Sequence, residues 1–261
     1  MSKGGSADMQ DQVSVRTEHL DVHYGAFHAV KNVSIEVRER RLTSLIGPSG
    51  CGKSSLLRVF NRMNDAIPGC RIRGKVEVAG ESVYAPGADV YALRRRVGMV
   101  FQRPNPFPLS IYDNVSYGPR IHATASGSAL DELVQRCLES VVLWEEVRER
   151  LDDSALSLAP EQMQRLCIAR ALAVEPTLLL MDEPCSALDP VATMRIETLM
   201  RTLSKRYTVI VVTHNMQQAA RISDETGFML LGELVEMGPT AALFTHPRDK
   251  RTEDYVTGRY G

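Results

Sequence analysis

The run GPSGCGKS from Gly47 to Ser54 has the spacing G-x-x-x-x-G-K-S, which suits a loop that holds a chain of phosphates. Its glycines let the backbone curl so that successive N–H groups face one centre, and a following helix adds its N-terminus to that concavity. Lys53 supplies a flexible point charge for the β and γ phosphates, and Ser54 offers a hydroxyl to Mg²⁺. The expected nucleotide contact runs through Gly47, Pro48, Ser49, Gly50, Cys51, Gly52, Lys53, Ser54 and Ser55. A chance glycine turn is the plainer alternative. Against it, the motif lies between the apolar LTSLI and the helix-like SSLLRVFNRM, the strand and helix that its mechanism needs.

A second group sits in LLLMDE at 178–183. Four apolar residues predict a buried strand that delivers Asp182 to its carboxyl end, where a carboxylate can hold the hydration shell of Mg²⁺. Glu183 follows directly and could polarise an attacking water. Taken alone, this segment also fits an ordinary strand end with two solvated acids. His214 closes TVIVVTH, and a polar residue at that end of a parallel strand lies near the ligand crevice. It could contact the γ phosphate or steady the water, or it could be structural. Gln102, just after VGMVF, has the same placement, and its amide could sense metal, water or γ phosphate.

The elements that must position these groups are legible in outline. Val13 to Val37 holds two alternating segments around a Tyr24-Gly25 turn, the pattern of a small antiparallel sheet. IPGCRIRGKVEVAG suggests another hairpin. Solid apolar runs at 42–46, 97–101, 178–181 and 208–212 suit central strands covered on both faces. Three prolines in RPNPFP forbid regular structure there. Residues 110–175 read as largely helical, with Leu130, Leu133, Val134, Cys137, Leu138, Val141 and Val142 at helical spacing. The predicted fold is α/β: a P-loop NTPase core with an antiparallel β subdomain and a helical subdomain over about 110–175, one unit spanning 13–261. Residues 1–12 are small and polar and are expected to form a disordered tail.

Composition narrows the function. The chain has 261 residues, 44% of them hydrophobic, enough for a sizeable core. Its formal net charge is -1, without the basic excess of a typical nucleic-acid binder, so no nucleic-acid partner is expected. The five Cys include no CxxC pair, which argues against a structural zinc site or disulfide framework and for a reducing cytoplasm. No secretory signal and no apolar run long enough to span a bilayer is present. Docking onto a membrane protein from the cytoplasmic side remains open.

Together with LAPEQMQRLCIARAL and SALD, these pieces resemble the nucleotide-binding subunit of ATP-binding cassette transporters over nearly the whole chain. NRMND, RPNPFPLSIYDNVSYGPR, MDEPCSALDP, THNMQQAARISD, LGELVEMGPT and TEDYVTGRYG are closer still to the phosphate-importing ATPases of bacteria. The resemblance implies ATP and Mg²⁺ as cofactors, with two copies sandwiching two ATPs. It implies two transmembrane permease subunits, and through them an extracytoplasmic phosphate-binding protein. It places the subunit peripherally on the cytoplasmic face of the membrane. By position, Tyr24 resembles the aromatic that stacks on adenine, although a sheet aromatic near a turn reads equally well from local sequence. Gln102 looks like the lid glutamine on the metal side, Asp182 the metal-side aspartate, Glu183 the catalytic base, Asp189 the aspartate of the dimer loop, and His214 the switch histidine. The proline-rich loop would receive the permease, with Phe107 either an anchor or packed internally. An importer of another solute, or a noncatalytic ATP-binding subunit, are the alternatives.

The chain departs from this pattern in one place. Where the family has Leu-Ser-Gly-Gly-Gln to clamp the partner's ATP, this chain has Leu158, Ala159, Pro160, Glu161 and Gln162. Ala159 lacks the hydroxyl and Pro160 lacks the N–H. Glu161 restores an N–H but is expected to bring a carboxylate toward phosphate, at a cost of about 1–4 kcal/mol. Pro and Glu suit a helix's first turn, so the segment is expected to keep its fold.

Overall fold

The computed structural model describes residues 12–259. The expected tail therefore falls outside the described residues, except Gln12, whose carbonyl already accepts from the Glu39 N–H at 2.8 Å. The final two residues of the TEDYVTGRYG stretch also lie outside.

Two sheets divide the work. The first holds β1 (Val13–Tyr24), β2 (Phe27–Arg38), β4 (Cys70–Val78) and β5 (Glu81–Ser82), in the order β2-β1-β4-β5. The alternation read around Tyr24-Gly25 is a true antiparallel hairpin, Tyr24 facing Phe27 across the turn. The second hairpin expected after Pro68 is minor, pairing β4 with β5 through Glu77–Ser82 and Val78–Glu81. The main partner of β4 is β1, which it meets from Val78 down to Cys70.

The second sheet carries β3 (Leu42–Ile46), β6 (Val97–Val100), β7 (Leu178–Asp182), β8 (Thr208–Val212), β9 (Glu225–Leu230) and β10 (Glu233–Pro239), in the order β10-β9-β3-β8-β7-β6. All neighbours are parallel except the β10–β9 edge pair. Strands β3, β7 and β8 are buried at every residue, as solid apolar runs in a doubly covered parallel sheet require.

Helices α1 (Lys53–Leu57) and α2 (Val90–Arg96) follow β3 and precede β6. The regular part of α1 is shorter than the helix expected from SSLLRVFNRM. After Leu57 the bonds tighten to i−3, Val59 to Leu56 and Phe60 to Leu57, while Val59 and Phe60 are fully buried. The expected helical region is present as α3 (Ile111–Ile121), α4 (Ser128–Ser140), α5 (Trp144–Val147) and α6 (Pro160–Leu172). Then come α7 (Pro190–Leu203), α8 (Met216–Ile222), α9 (Thr240–Thr245) and α10 (Lys250–Val256).

The hydrophobic core lies on both faces of the parallel sheet. Leu179, Met181, Val209 and Val211 pack with the helical region through Leu138, Leu166 and Ile168. Their strand neighbours Leu178, Leu180, Ile210 and Val212 pack with Leu56, Phe60 and the antiparallel sheet. Period-two alternation thus sends one strand into two cores. Among the described residues, no helix is long and apolar enough to cross a membrane.

Candidate nucleotide site

The carboxyl ends of β3, β8, β7 and β6 stand side by side, and each hands over one chemical group. After β3 comes the glycine loop. Gly47 has φ 147, and a Cβ there would lie 2.1 Å from the Met229 carbonyl oxygen. Gly52 has φ 101, and a Cβ would lie 2.4 Å from the Ala29 carbonyl oxygen. Both positions need glycine, for the backbone angle and for the close approach. The loop wraps Lys53, which is buried and donates from Nζ to the carbonyls of Gly47 and Pro48, each at 2.8 Å. Cys51 Sγ lies 3.7 Å from the same nitrogen, and burial pushes that thiol up, away from the reactive thiolate.

One residue on, Ser54 Oγ donates to Asp182 Oδ1 at 2.7 Å. Asp182 is buried, and its other oxygen accepts from Arg58 Nη2 at 3.1 Å. Hydroxyl and carboxylate, expected from separate motifs to serve one metal, are in direct contact. Arg58 was not among the residues singled out in the sequence. It lies one turn beyond Ser54, and nothing local marks it as the partner of a distant aspartate.

Glu183 takes φ 48, a left-handed backbone that a residue with a Cβ adopts at a cost and that recurs at functional sites. Its N–H is held by the Val212 carbonyl at 2.9 Å. The turn directs the carboxylate at the neighbouring strand ends. Oε2 lies 3.0 Å from His214 Nδ1 and accepts from Gln102 Nε2 at 3.4 Å. His214 is positioned by what flanks it. The Thr213 N–H is held by the Leu45 carbonyl at 3.1 Å, Thr213 Oγ1 accepts from the Asn215 N–H at 3.0 Å, and Asn215 Oδ1 caps α8 at the Gln218 N–H. Gln102, Glu183 and His214 are therefore brought together from three loops.

Tyr24 lies beside α1. Its hydroxyl donates to Asn64 Oδ1 at 2.9 Å, and Asn64 Nδ2 donates to the Ser55 carbonyl at 2.8 Å. Burial pushes the phenol up, so it remains a neutral donor. Fully buried Asn64 thus ties the aromatic to the glycine-loop helix. Gln164 is a second residue the sequence did not single out. Buried on α6, it donates to the carbonyls of Phe101 and Pro184, each at 3.1 Å. It pins the helical region to the backbone beside Gln102 and beside Glu183.

Asp189 caps α7, accepting from the N–H groups of Val191 at 2.9 Å and Ala192 at 3.0 Å. Those donors, that of Ala192 first, hold its carboxyl below the usual range. Phe107 is half-buried in the proline-rich loop. Arg170 sits over its ring at 4.1 Å and Tyr117 packs against it at 4.8 Å.

The divergent segment begins α6. Ala159 stands at the N-cap with Pro160 as the first helical residue, and the Ala159 N–H is accepted by Gln162 Oε1 at 3.0 Å. The Glu161 carboxylate, expected to approach phosphate, has a partner within its own helix. Glu161 turns along the helix onto Arg165, whose Nη2 donates to Oε2 at 2.9 Å. Arg165 Nε lies 2.6 Å from Oε1 as an ion pair, without hydrogen-bond geometry. Buried Arg165 also donates to both oxygens of Glu146, which accepts from Gln162 as well. Desolvation works to raise Glu146, and the bonds from Gln162 and Arg165 overcome it and hold the carboxyl low. The charge that Glu161 introduces is neutralised where it stands.

The family model described as ABC transporter matches residues 30–186, from ahead of the glycine loop to past Glu183. The chain belongs to the ABC transporter family. It is 58% identical over 243 residues to Phosphate import ATP-binding protein PstB 3 of Streptococcus pneumoniae serotype 4, covering 93% of this chain and 97% of that protein. The protein of the same name from strain R6 matches equally. Among solved structures, cbiO1 of Clostridium perfringens, described as part of the ABC transporter complex cbiONQ, superposes with a TM-score of 0.79 at 24% identity, covering 95% of this chain and 97% of that one. A bacterial Atm1-family ABC exporter with ATP bound gives a TM-score of 0.77 at 25% identity, covering 97% of this chain and 43% of that one. The α/β fold of this family's nucleotide-binding domain is the fold observed here.

Proposed function

We infer that this chain is the ATPase subunit of a phosphate importer, working in an ABC transporter complex with permease components. The observation that carries the hydrolytic part is the meeting of Gln102, Glu183 and His214 beside the Lys53 and Ser54–Asp182 pair. Phosphate as cargo is supported by the likeness to the two pneumococcal phosphate-import proteins.

The glycine loop with Lys53 would hold the triphosphate, with Tyr24 beside the base. Ser54 and Asp182 fit Mg²⁺, which takes few protein oxygens and keeps phosphate and water as its other ligands. Gln102 is a further oxygen donor on the same side. When bound, the metal would supply positive charge against the charge that develops on the transferred phosphoryl group. Glu183 accepts the proton of the attacking water. His214, a hydrogen bond from that carboxylate, fixes its direction and faces the transferred phosphoryl group. Gln102 reports the state of the site to the loop that precedes the helical region.

Two copies associate head to tail, each presenting Ala159 and Glu161 of one chain and the dimer-loop Asp189 to the ATP of the other. The pair sits peripherally on the cytoplasmic face, against the permease. The test is ATP-driven phosphate uptake in vesicles carrying this chain, its permease and its binding protein, with other anions in parallel. Uptake restricted to phosphate supports the reading. ATP hydrolysis that drives another anion and not phosphate would overturn the cargo assignment.

A further inference from the structure

Glu197 is a buried carboxylate that the hydrolytic scheme does not use. It projects from α7 with its side chain 8% exposed and meets α8. Arg221 Nη2 lies 2.6 Å from Oε1 and Nε 3.0 Å from Oε2, a two-point grip, and Gln218 Nε2 donates to Oε1 at 3.4 Å. Such a fork fixes orientation as well as distance.

The place of this grip matters more than its strength. Helix α7 ends the arm that leaves Glu183 and passes Asp189. Helix α8 begins two residues after His214, capped by Asn215. Glu183 and His214 themselves touch only across an exposed contact, His214 being 54% exposed. Glu197 with Arg221 closes the far side of the same unit. Both residues, with Gln218, Glu183 and His214, line one cleft of about 630 Å³.

We propose that Glu197 and Arg221 are positioning residues, which hold α8 against α7 so that His214 stays directed at the Glu183 carboxylate. The inference rests on the assignment of Glu183 and His214 to hydrolysis, and its structural part can be tested without it. An internal control is available. Arg201 joins the same two helices one turn further along α7, donating to the Ile222 carbonyl at the end of α8 at 2.9 Å and lying 3.6 Å from Asp224, so it is a neighbouring link farther from His214.

The experiment compares Arg221→Met, Glu197→Gln, Arg221→Lys and Arg201→Met in the full-length chain. Carbethoxylation of His214 by diethyl pyrocarbonate, followed on its peptide by mass spectrometry, reads how firmly the imidazole is held. Labelling should quicken about threefold or more in Arg221→Met and Glu197→Gln, as the contact of Nδ1 with Glu183 is released more often, and stay near parental in Arg201→Met. Arg221→Lys, which keeps charge but not the fork, should fall between. In steady-state kinetics kcat should fall about tenfold in the first two variants, with KM for ATP within about twofold, because misdirection costs the chemical step more than binding. Unchanged His214 labelling would overturn the proposal. So would equal effects in Arg221→Met and Arg201→Met that follow loss of thermal stability. Faster labelling in a chain whose parent does not hydrolyse ATP would support the positioning role and count against the hydrolytic reading instead.

Discussion

The hydrolytic edge of the sheet and the first turn of α6 are built on different terms. At the sheet edge, four adjacent strand ends set the positions, and the side chains meet in short contacts that each motif foreshadows. Backbone geometry does most of the placing, including the left-handed turn at Glu183. At α6 the small residues of the family pattern are replaced, and the segment is held by a side-chain network of Glu146, Glu161, Gln162 and buried Arg165. Bringing a carboxylate to this turn depends on a buried cation within reach. An isolated buried charge would be far more costly than a paired one.

The largest expected effect lies on the sheet edge. Glu183→Gln should lower kcat by about 10²- to 10⁴-fold, because the amide cannot take the water's proton, while ATP binding persists. Lys53→Ala should weaken ATP binding itself. Hydrolysis and nucleotide-binding assays on both variants separate the roles. A glutamine variant with near-parental turnover would remove Glu183 as the base.

The next effect falls on the network at α6. Arg165→Met strands the mostly buried Glu161, while the more exposed Glu146 keeps its bond from Gln162, so the cost should fall at or below the lower end of the about 3–5 kcal/mol of a broken buried pair. Urea unfolding should show a matching fall in midpoint, and ATP-dependent dimerisation should weaken as Glu161 is released. A variant as stable as the parent would mean that the ion pairs add nothing to the fold.

A smaller effect sharpens the contrast. In a Glu183→Gln background, the triple change Ala159→Ser, Pro160→Gly and Glu161→Gly should tighten ATP-driven dimerisation a few-fold, about 1 kcal/mol, from regained hydrogen bonds. Since Glu161 is already neutralised by Arg165, the gain should change little with salt. Light scattering across a salt series checks this. A gain that is large at low salt and vanishes at high salt would show that the Glu161 charge reaches the phosphates after all.

The smallest concerns Asp189. Asp189→Ala should lower thermal stability slightly through loss of the α7 cap. The sign with pH follows from its depressed carboxyl. The cap contributes fully above the ordinary aspartate pKa and is lost as pH falls through the lower folded value. The stability gap between parent and variant should therefore close in acid. A gap that persists there would assign the cap a role independent of charge.

The sequence by itself determined the chemistry and the order of the parts. The glycine loop, the aspartate–glutamate step and the strand-end histidine are local patterns, because each needs only a short run of backbone with its own side chains. Four of the parallel strands, β3, β6, β7 and β8, and the helical region over 110–175 were legible for the same reason, in periodicity and length, whereas β9, parallel to β3, was not read. What the tertiary structure alone decided were partnerships across the chain. Arg58 on Asp182, Asn64 beneath Tyr24, Gln164 against Phe101 and Pro184, and Glu197 on Arg221 join residues that no local pattern links. The divergent turn shows the reason most plainly. Read as sequence, Glu161 was a charge set against phosphate. In the fold, helix spacing puts Arg165 four residues on over the same face, and the approach of α5 adds Glu146. Whether a charge repels or is satisfied depends on which groups the chain folds beside it.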